Sequence, residues 1–120
     1  MKEDKAKASY DFEEDIFLAR PIERKYESSF QIDNFIFDLD KENKIIGLEM
    51  FNASKVFGIP KAFLKNIGSG KLEVVISKQY IIVNIQIKTK VRNSDRVNSL
   101  SIERVRPEFV NQAELHLAIA

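Results

Sequence analysis

The stretch from Phe35 to Ser54 constrains the fold of this chain more than any other segment. Apolar and polar residues alternate on both sides of a polar segment at 41–44, which is the pattern of a β-hairpin. A four-residue loop there predicts two cross-strand apolar pairs, Leu39 with Ile46 and Phe37 with Leu48. A slip of one residue would put these apolar sets on opposite faces, so the register is strongly specified. We therefore expect three carboxylates to share the second face of the hairpin, those of Asp38, Asp40 and Glu49.

Further strands are predicted on both sides of this hairpin. Alternating apolar residues predict a hairpin at 9–22 with its turn at 13–15, and strands at 26–32, 71–76, 80–91 and 99–105. Charged or polar residues predict a frayed lead at 1–8, a turn at 68–70 and a loop at 92–98. Asn52 or Ser54 is expected to begin one short helix, and Pro60 a second. The C-terminal segment fits either a helix after Pro107 or a strand near 115–119, and we favour the helix.

These elements predict one compact domain over residues 1–120. Its 120 residues, 44% of them hydrophobic, are enough to bury a core. The expected fold class is α+β, with mainly antiparallel β-hairpins, one or two short central helices and the C-terminal helix. Within the domain we expect a hairpin-and-helix module at about 10–67 and a β-rich second half at 71–120.

Composition excludes several classes of site. The chain has no cysteine, which excludes disulfides, thiolate metal sites and a cysteine nucleophile. His116 is the single histidine, which excludes a two-histidine zinc motif within one chain. No apolar run reaches the roughly 20 residues that cross a bilayer, and the charged N-terminus lacks the apolar core of a signal peptide. We therefore expect a cytoplasmic protein with no membrane partner and no cofactor.

Charge is unevenly distributed along the chain. The net charge is only +1, but residues 1–60 carry nine basic and thirteen acidic residues, and residues 61–120 carry ten and five. The simpler interpretation is two solvated surfaces of one domain. The alternative is that the acidic half of one subunit meets the basic half of another, and charge complementarity of that kind steers encounters more than it supplies affinity.

Three groups of residues in the first half of the chain resemble a known family. They are Tyr10-Asp11 with Asp15, then Asp33-Asn34 with Asp38 and Asp40, then Gly47 and Glu49 with Ala53-Ser54. This order is similar to that of the domain of unknown function 2283 family, over roughly residues 10–67. Asn43 stands where members often carry glycine, and asparagine tolerates the same left-handed conformation. The resemblance implies a β-hairpin-plus-helix fold and offers no catalytic residue.

The acidic residues have three interpretations. Asp38, Asp40 and Glu49 could hold Mg²⁺ or Ca²⁺ or act as a general acid and base. The simpler interpretation is that Asp11, Asp15 and the two hairpin aspartates accept backbone N–H groups in turns, as aspartates next to turns commonly do. The regular oxygen-ligand spacing of a calcium loop is missing.

Basic residues of the second half form a candidate binding patch. They are Lys88, Lys90, Arg92, Arg96, Arg104 and Arg106. A phosphate-binding surface needs such a patch, preferably with exposed aromatic side chains for stacking. The simpler interpretation is a solvated edge, because lysines on an edge strand discourage unwanted sheet pairing.

The leading hypothesis for function is a non-enzymatic module that associates with itself as a homo-oligomer, or with another protein. Many strong apolar strands in a short chain leave sheet edges that closure or pairing must satisfy. A nucleic-acid-binding protein that uses the basic second half is one alternative, although it is not favoured. A metal-dependent hydrolase that uses the clustered carboxylates is another.

Overall fold

The computed structural model describes residues 3–22 and 25–119. Its strands are β1 (Asp4–Asp11), β2 (Ile16–Pro21), β3 (Ser28–Ile32), β4 (Phe35–Leu39), β5 (Ile45–Met50), β6 (Ile67–Ile76), β7 (Tyr80–Val91), β8 (Ser94–Val105) and β9 (Ala113–Ile119). Two short helices, α1 (Ala53–Phe57) and α2 (Lys61–Leu64), lie between β5 and β6. Within the described part of the chain, no helix has both the length and the apolar composition needed to cross a membrane.

The nine strands of the described residues belong to one curled sheet in the order β3-β4-β5-β2-β1-β9-β6-β7-β8. Neighbouring strands are antiparallel except β1 and β9, which are parallel. The predicted α+β class is therefore wrong: the fold is mostly β, and its two helices have only five and four residues. The physical reason is that several segments pair as strands through their backbone groups, although their charge or helical spacing predicted a lead, a loop or a helix.

The core lies inside the curl of the sheet and joins both halves of the chain. Phe17, Phe37 and Leu48 from the first half share one buried apolar cluster with Ile85 and Leu117 from the second. The outermost strands, β3 and β8, approach each other at one end. There Nε of Arg104 donates a 2.7 Å hydrogen bond to Oδ2 of Asp33. The acidic and basic halves of the sequence therefore meet within a single chain at this point.

The central hairpin has the predicted register over most of its length. Phe37 lies opposite Leu48 and Asp38 opposite Gly47, as expected. Leu39 lies opposite Ile45 instead of Ile46, because the register shifts between Asp38 and Leu39. A β-bulge of this kind gives one strand an extra residue. Leu39 and Ile45 both join the buried core as a result.

Two charged or polar segments differ from their predicted local structure. The expected lead at 1–8 instead provides most of β1, with Ala6 buried between β2 and β9; residues 1–2 lie outside the described part of the chain. The expected loop at 92–98 is a two-residue turn at Arg92 and Asn93, where φ is +50° and +65°. Both central residues of a type I′ turn have positive φ, and such turns match the twist of the strands they join.

The C-terminal segment and the glycine-containing segment are both strands. The favoured C-terminal helix is absent from the described residues, and β9 pairs with β6 on one side and β1 on the other. Its alternating apolar side chains, those of Leu115, Leu117 and Ile119, point into the core. The predicted turn at 68–70 lies within β6, where a register shift between Ile67 and Ser69 accommodates the glycines.

Candidate functional site

The hairpin carboxylates lie on the face of the sheet away from the core, and an arginine from β2 joins them. Nε of Arg20 donates a 3.0 Å hydrogen bond to Oδ2 of Asp38, whose side chain is fully buried. Nη2 of Arg20 lies 3.7 Å from Oε2 of Glu49. The guanidinium also stacks over the ring of Tyr26, with its carbon 4.4 Å from the ring centroid. We name these four residues the Arg20 cluster.

Gly47 makes the close packing of the Arg20 cluster sterically possible. A Cβ atom at this position would lie 2.8 Å from the carbonyl oxygen of Ala19 and 2.9 Å from Cγ of Arg20. Real Cβ atoms do not come this close to other atoms. The glycine therefore lets the aliphatic part of Arg20 lie flat across β5 on its way to Asp38.

The electrostatics of the Arg20 cluster favour a neutral Glu49. Burial is the largest cause that raises the pKa of Glu49, and the adjacent Asp38 carboxylate raises it further. Arg20 opposes both effects, and the resulting pKa is about 7. Two carboxyl groups in contact cannot both ionise easily. Glu49 is therefore a group whose charge changes close to neutral pH.

A second carboxylate connects the β1–β2 turn to α1. Oδ1 of Asp15 accepts hydrogen bonds from the hydroxyl of Tyr10 at 2.6 Å and from the backbone N–H of Ser54 at 3.0 Å. Oδ2 accepts from the hydroxyl of Ser54 at 2.6 Å. Burial alone would raise the pKa of Asp15, but these hydrogen bonds outweigh burial and lower it. Burial and the bond to Asp15 raise the pKa of Tyr10 above its usual range.

α1 begins directly after Asn52, one of the two residues expected to start it. Asn52 occupies the position before the helix, but its side chain makes no capping hydrogen bond. The first two N–H groups of the helix, those of Ala53 and Ser54, instead donate to the backbone oxygen and the carboxylate of Asp15. These helix groups have no partner within the helix itself. A residue from a distant turn therefore caps α1.

Two other aspartates bind turn backbone, as the simpler interpretation predicted. Oδ1 of Asp40 accepts from the N–H groups of Glu42 at 2.8 Å and Lys44 at 3.0 Å. Oδ1 of Asp11 accepts from the N–H of Glu14 at 3.0 Å. Asp38 does not follow this pattern, because its partner is Arg20.

The arrangement does not favour the predicted metal site. Asp38 and Glu49 are brought together, but Asp40 binds its own turn. Among the described residues, no three carboxylate or histidine side chains form a group that could hold a metal ion. The metal assignment of Asp38, Asp40 and Glu49 thus stays a prediction without geometric support.

The structure divides the six basic residues into two groups. Lys88, Lys90, Arg92 and Arg96 are exposed near the tip of the β7–β8 hairpin. Arg104 lies near the opposite end and binds Asp33. The guanidinium of Arg106 donates to backbone oxygens, including that of Val110 at 2.6 Å. The last two arginines therefore hold the fold together at a distance from the other four.

Sequence reasoning missed Arg20 and Tyr26 as members of a cluster. Arg20 follows an apolar run, and its partner Asp38 is 18 positions away. No short motif connects the two residues. The signal that could have found them is the long-range pairing of β2 with β5, which the sequence pattern does not specify.

Comparison with known proteins identifies the family of this chain. The family described as "Protein of unknown function (DUF2283)" matches residues 7–54. An uncharacterised protein of Methanocaldococcus jannaschii is 32% identical over 112 residues, which cover 92% of this chain and 97% of the relative. The chain belongs to the DUF2283 family. The matched DUF2283 segment contains both the Arg20 cluster and the Asp15 network.

A second relative is a protein of Methanosarcina mazei. It is 30% identical over 87 residues, which cover 72% of this chain and 71% of the relative. That protein is provisionally named as a hypoxanthine phosphoribosyltransferase. No solved structure matches the chain.

Proposed function

We propose that this DUF2283 protein is a non-enzymatic module that associates with a second copy of itself through β8. The observation that carries the proposal is the position of β8, a strand of 12 residues at one edge of the sheet. An edge strand presents a row of backbone N–H and C=O groups that can pair with another chain. Two large apolar side chains of β8 are also exposed, Val97 by 57% and Val105 by 75%.

The charges of β8 restrict how two copies can pair. A two-fold axis perpendicular to the sheet makes β8 antiparallel to its copy and places side chains of the same face opposite each other. Centring the axis on Ser99 would oppose Asp95 and Glu103. Centring it on Leu100 would oppose Arg96 and Arg104. Like charges directly opposite are destabilising, so both registers are unfavourable.

A third register places no like charges opposite each other within β8. With the axis at Ser101, Val97 lies opposite the second copy's Val105, and Leu100 lies opposite its Ile102. Apolar cross-strand pairs of this kind stabilise a sheet by about 0.2–1 kcal/mol each. This register also removes both exposed valines from water. We therefore expect an antiparallel β8–β8 contact centred on Ser101.

Sedimentation velocity across a micromolar concentration series tests the proposal. The wild-type chain should form a dimer, and the double variant Val97→Lys/Val105→Lys should be monomeric with an unchanged circular dichroism spectrum. The matched control is Ser28→Lys/Gln31→Lys, which adds the same charge to β3, the opposite edge of the sheet. The control should still dimerise. A monomeric wild type, or equal loss of dimer in both variants, would contradict the proposal.

The grouping of basic side chains at the β7–β8 tip favours a second candidate function, nucleic-acid binding. Lys88, Lys90, Arg92 and Arg96 could neutralise phosphate groups, and such binding weakens steeply as salt rises. Fluorescence anisotropy with a labelled oligonucleotide should then show loss of binding in Lys88→Glu/Lys90→Glu, but not in the control Lys41→Glu. No binding by the wild type at low salt would reject this candidate.

The glycine-rich segment of β6 does not offer a phosphate-binding loop. Phosphate groups of nucleotides are commonly held by the backbone N–H groups of a glycine-rich loop or a helix N-terminus. The glycine-rich segment here, residues 68–70, lies within β6. Gly70 pairs with Ile87 on one side and Ile119 on the other. Its backbone is therefore committed to the sheet.

A further inference from the structure

One oxygen of the buried Asp38 carboxylate has no donor in the described structure. Oδ2 accepts from Arg20 at 3.0 Å, but Oδ1 is inaccessible to solvent and has no hydrogen-bond partner. A buried acceptor that is left unsatisfied costs roughly 1–3 kcal/mol, and more when it is charged. The fold avoids this cost if a neighbouring group donates a hydrogen bond to Oδ1.

Glu49 is the group placed to make that donation. It interacts with Asp38 across the β4–β5 pair, and both burial and Asp38 favour its neutral form. A protonated carboxyl group carries one O–H donor. The remaining cross-strand neighbours of Glu49 are Leu18 on β2 and Ile36 on β4, neither of which is polar.

We propose that Asp38 and Glu49 share one proton near neutral pH, and that this proton controls the stacking of Arg20 on Tyr26. With the proton present, Glu49 donates to Oδ1 of Asp38, and the pair carries a single negative charge. Arg20 balances that charge, binds Asp38 and lies 4.4 Å above the Tyr26 ring. Among the described residues, Arg20 and Asp38 are the charged groups that face Glu49.

Loss of the proton places a second negative charge beside Arg20. Two adjacent carboxylates then compete for one guanidinium, and the contact between Nη2 and Oε2 of Glu49, now 3.7 Å, should shorten. This movement draws the guanidinium towards β5 and away from the aromatic ring. Tyr26 is 49% exposed, so it loses its main contact with the cluster and becomes free to move. The inference is independent of association through β8.

Carbon-13 NMR titration of the side-chain carboxyl groups tests this inference. The Glu49 carboxyl signal should titrate near pH 7, and the Tyr26 ring signals should shift with the same midpoint. In Glu49→Gln the Tyr26 signals should become independent of pH between about pH 5 and 8, a range in which tyrosine itself does not titrate.

The variant Asp38→Asn supplies a second measurement. Removing the neighbouring charge should move the Glu49 midpoint down towards the ordinary glutamate value of about 4.3. If this variant does not fold, the wild type and Glu49→Gln still decide the question. A Glu49 signal that does not titrate near pH 7, or Tyr26 signals that do not follow Glu49, would overturn the inference.

Discussion

The hydroxyl of Ser54 donates a 2.6 Å hydrogen bond to Oδ2 of Asp15, although 39 positions separate the two residues. The same aspartate accepts from the first two backbone N–H groups of α1 through its carbonyl and its carboxylate. Asp15 itself has a φ of +57°, a left-handed conformation that aspartate tolerates better than most residues. The β1–β2 turn therefore fixes where α1 begins.

Replacing Ser54 with alanine should destabilise the fold by about 1–2 kcal/mol, because Oδ2 of the part-buried Asp15 loses its donor. Urea denaturation followed by circular dichroism measures the change. The matched control is Ser99→Ala on the exposed side of β8, which should change the free energy of unfolding by less than about 0.5 kcal/mol. Equal effects of the two substitutions would contradict the role assigned to Ser54.

Asp15 should make the fold sensitive to acid. Its pKa in the folded state is below the ordinary value of 3.8, so its contribution is present above pH 3.8 and is lost as the pH falls through the folded pKa. Asp15→Asn keeps a residue that tolerates positive φ but cannot ionise. Thermal denaturation over this range should show a shallower acid loss of stability in the variant. Equal losses of stability at low pH in the wild type and the variant would contradict this role of Asp15.

Glu49 should produce a stability change in the opposite direction. Its folded pKa of about 7 lies above the ordinary value of 4.5. The stability that neutral Glu49 supports is therefore fully present below pH 4.5 and is lost as the pH rises through about 7. Glu49→Gln should remove this decline, so that its melting temperature exceeds that of the wild type more at about pH 8 than at about pH 5. An equal difference in melting temperature at the two pH values would contradict this role of Glu49.

The two glycines of β6 offer a paired steric test. A Cβ on Gly70 would overlap the carbonyl oxygen of Gln86 on β7, whereas a Cβ on Gly68 would have its nearest neighbour at 3.8 Å. We expect Gly70→Ala to cost at least about 2 kcal/mol, because backbone must move. Gly68→Ala should change stability by less than about 0.5 kcal/mol. Chemical denaturation of both variants measures the difference, and similar values would contradict the packing of β6 on β7.

The turn between β7 and β8 can be strengthened. Arg92 and Asn93 both have positive φ, and Asn-Gly is the preferred sequence for such a turn. Changing the pair to Asn-Gly should stabilise the fold, because asparagine and glycine both tolerate positive φ. Asn93→Thr should destabilise it, since β-branched residues avoid positive φ. Melting temperatures of both variants provide the measurement, and a destabilised Asn-Gly variant would contradict the turn geometry.

Local signals were sufficient where apolar alternation was flanked by clear turn residues. The β4–β5 and β1–β2 hairpins were predicted from such patterns and are present, although β1 begins earlier than predicted and the β4–β5 register shifts at Leu39. The C-terminal segment was harder, because Leu115, Leu117 and Ile119 satisfy strand spacing while Val110, Ala113 and Leu117 satisfy helical spacing. Two neighbouring strands decided the outcome by pairing with both of its edges.

The sequence predicted some residues of the candidate site and missed others. The sequence singled out Asp38 and Glu49 because the hairpin register places them on one face. It did not predict Arg20, because no local pattern specifies that β2 pairs with β5. It also grouped Arg104 and Arg106 with the lysines of β7, although each arginine has partners that lie outside that group.

The sequence by itself determined the local alternation of the chain, its turns and the family to which it belongs, since these depend on residues close together in the chain. Tertiary structure alone decided that β1 and β9 lie side by side, which joins the two halves into one sheet. It also decided which groups surround Asp15 and Asp38. The physical reason is that pairing between distant strands depends on backbone hydrogen bonds, which every residue except proline can both donate and accept, so side-chain patterns do not encode the partner.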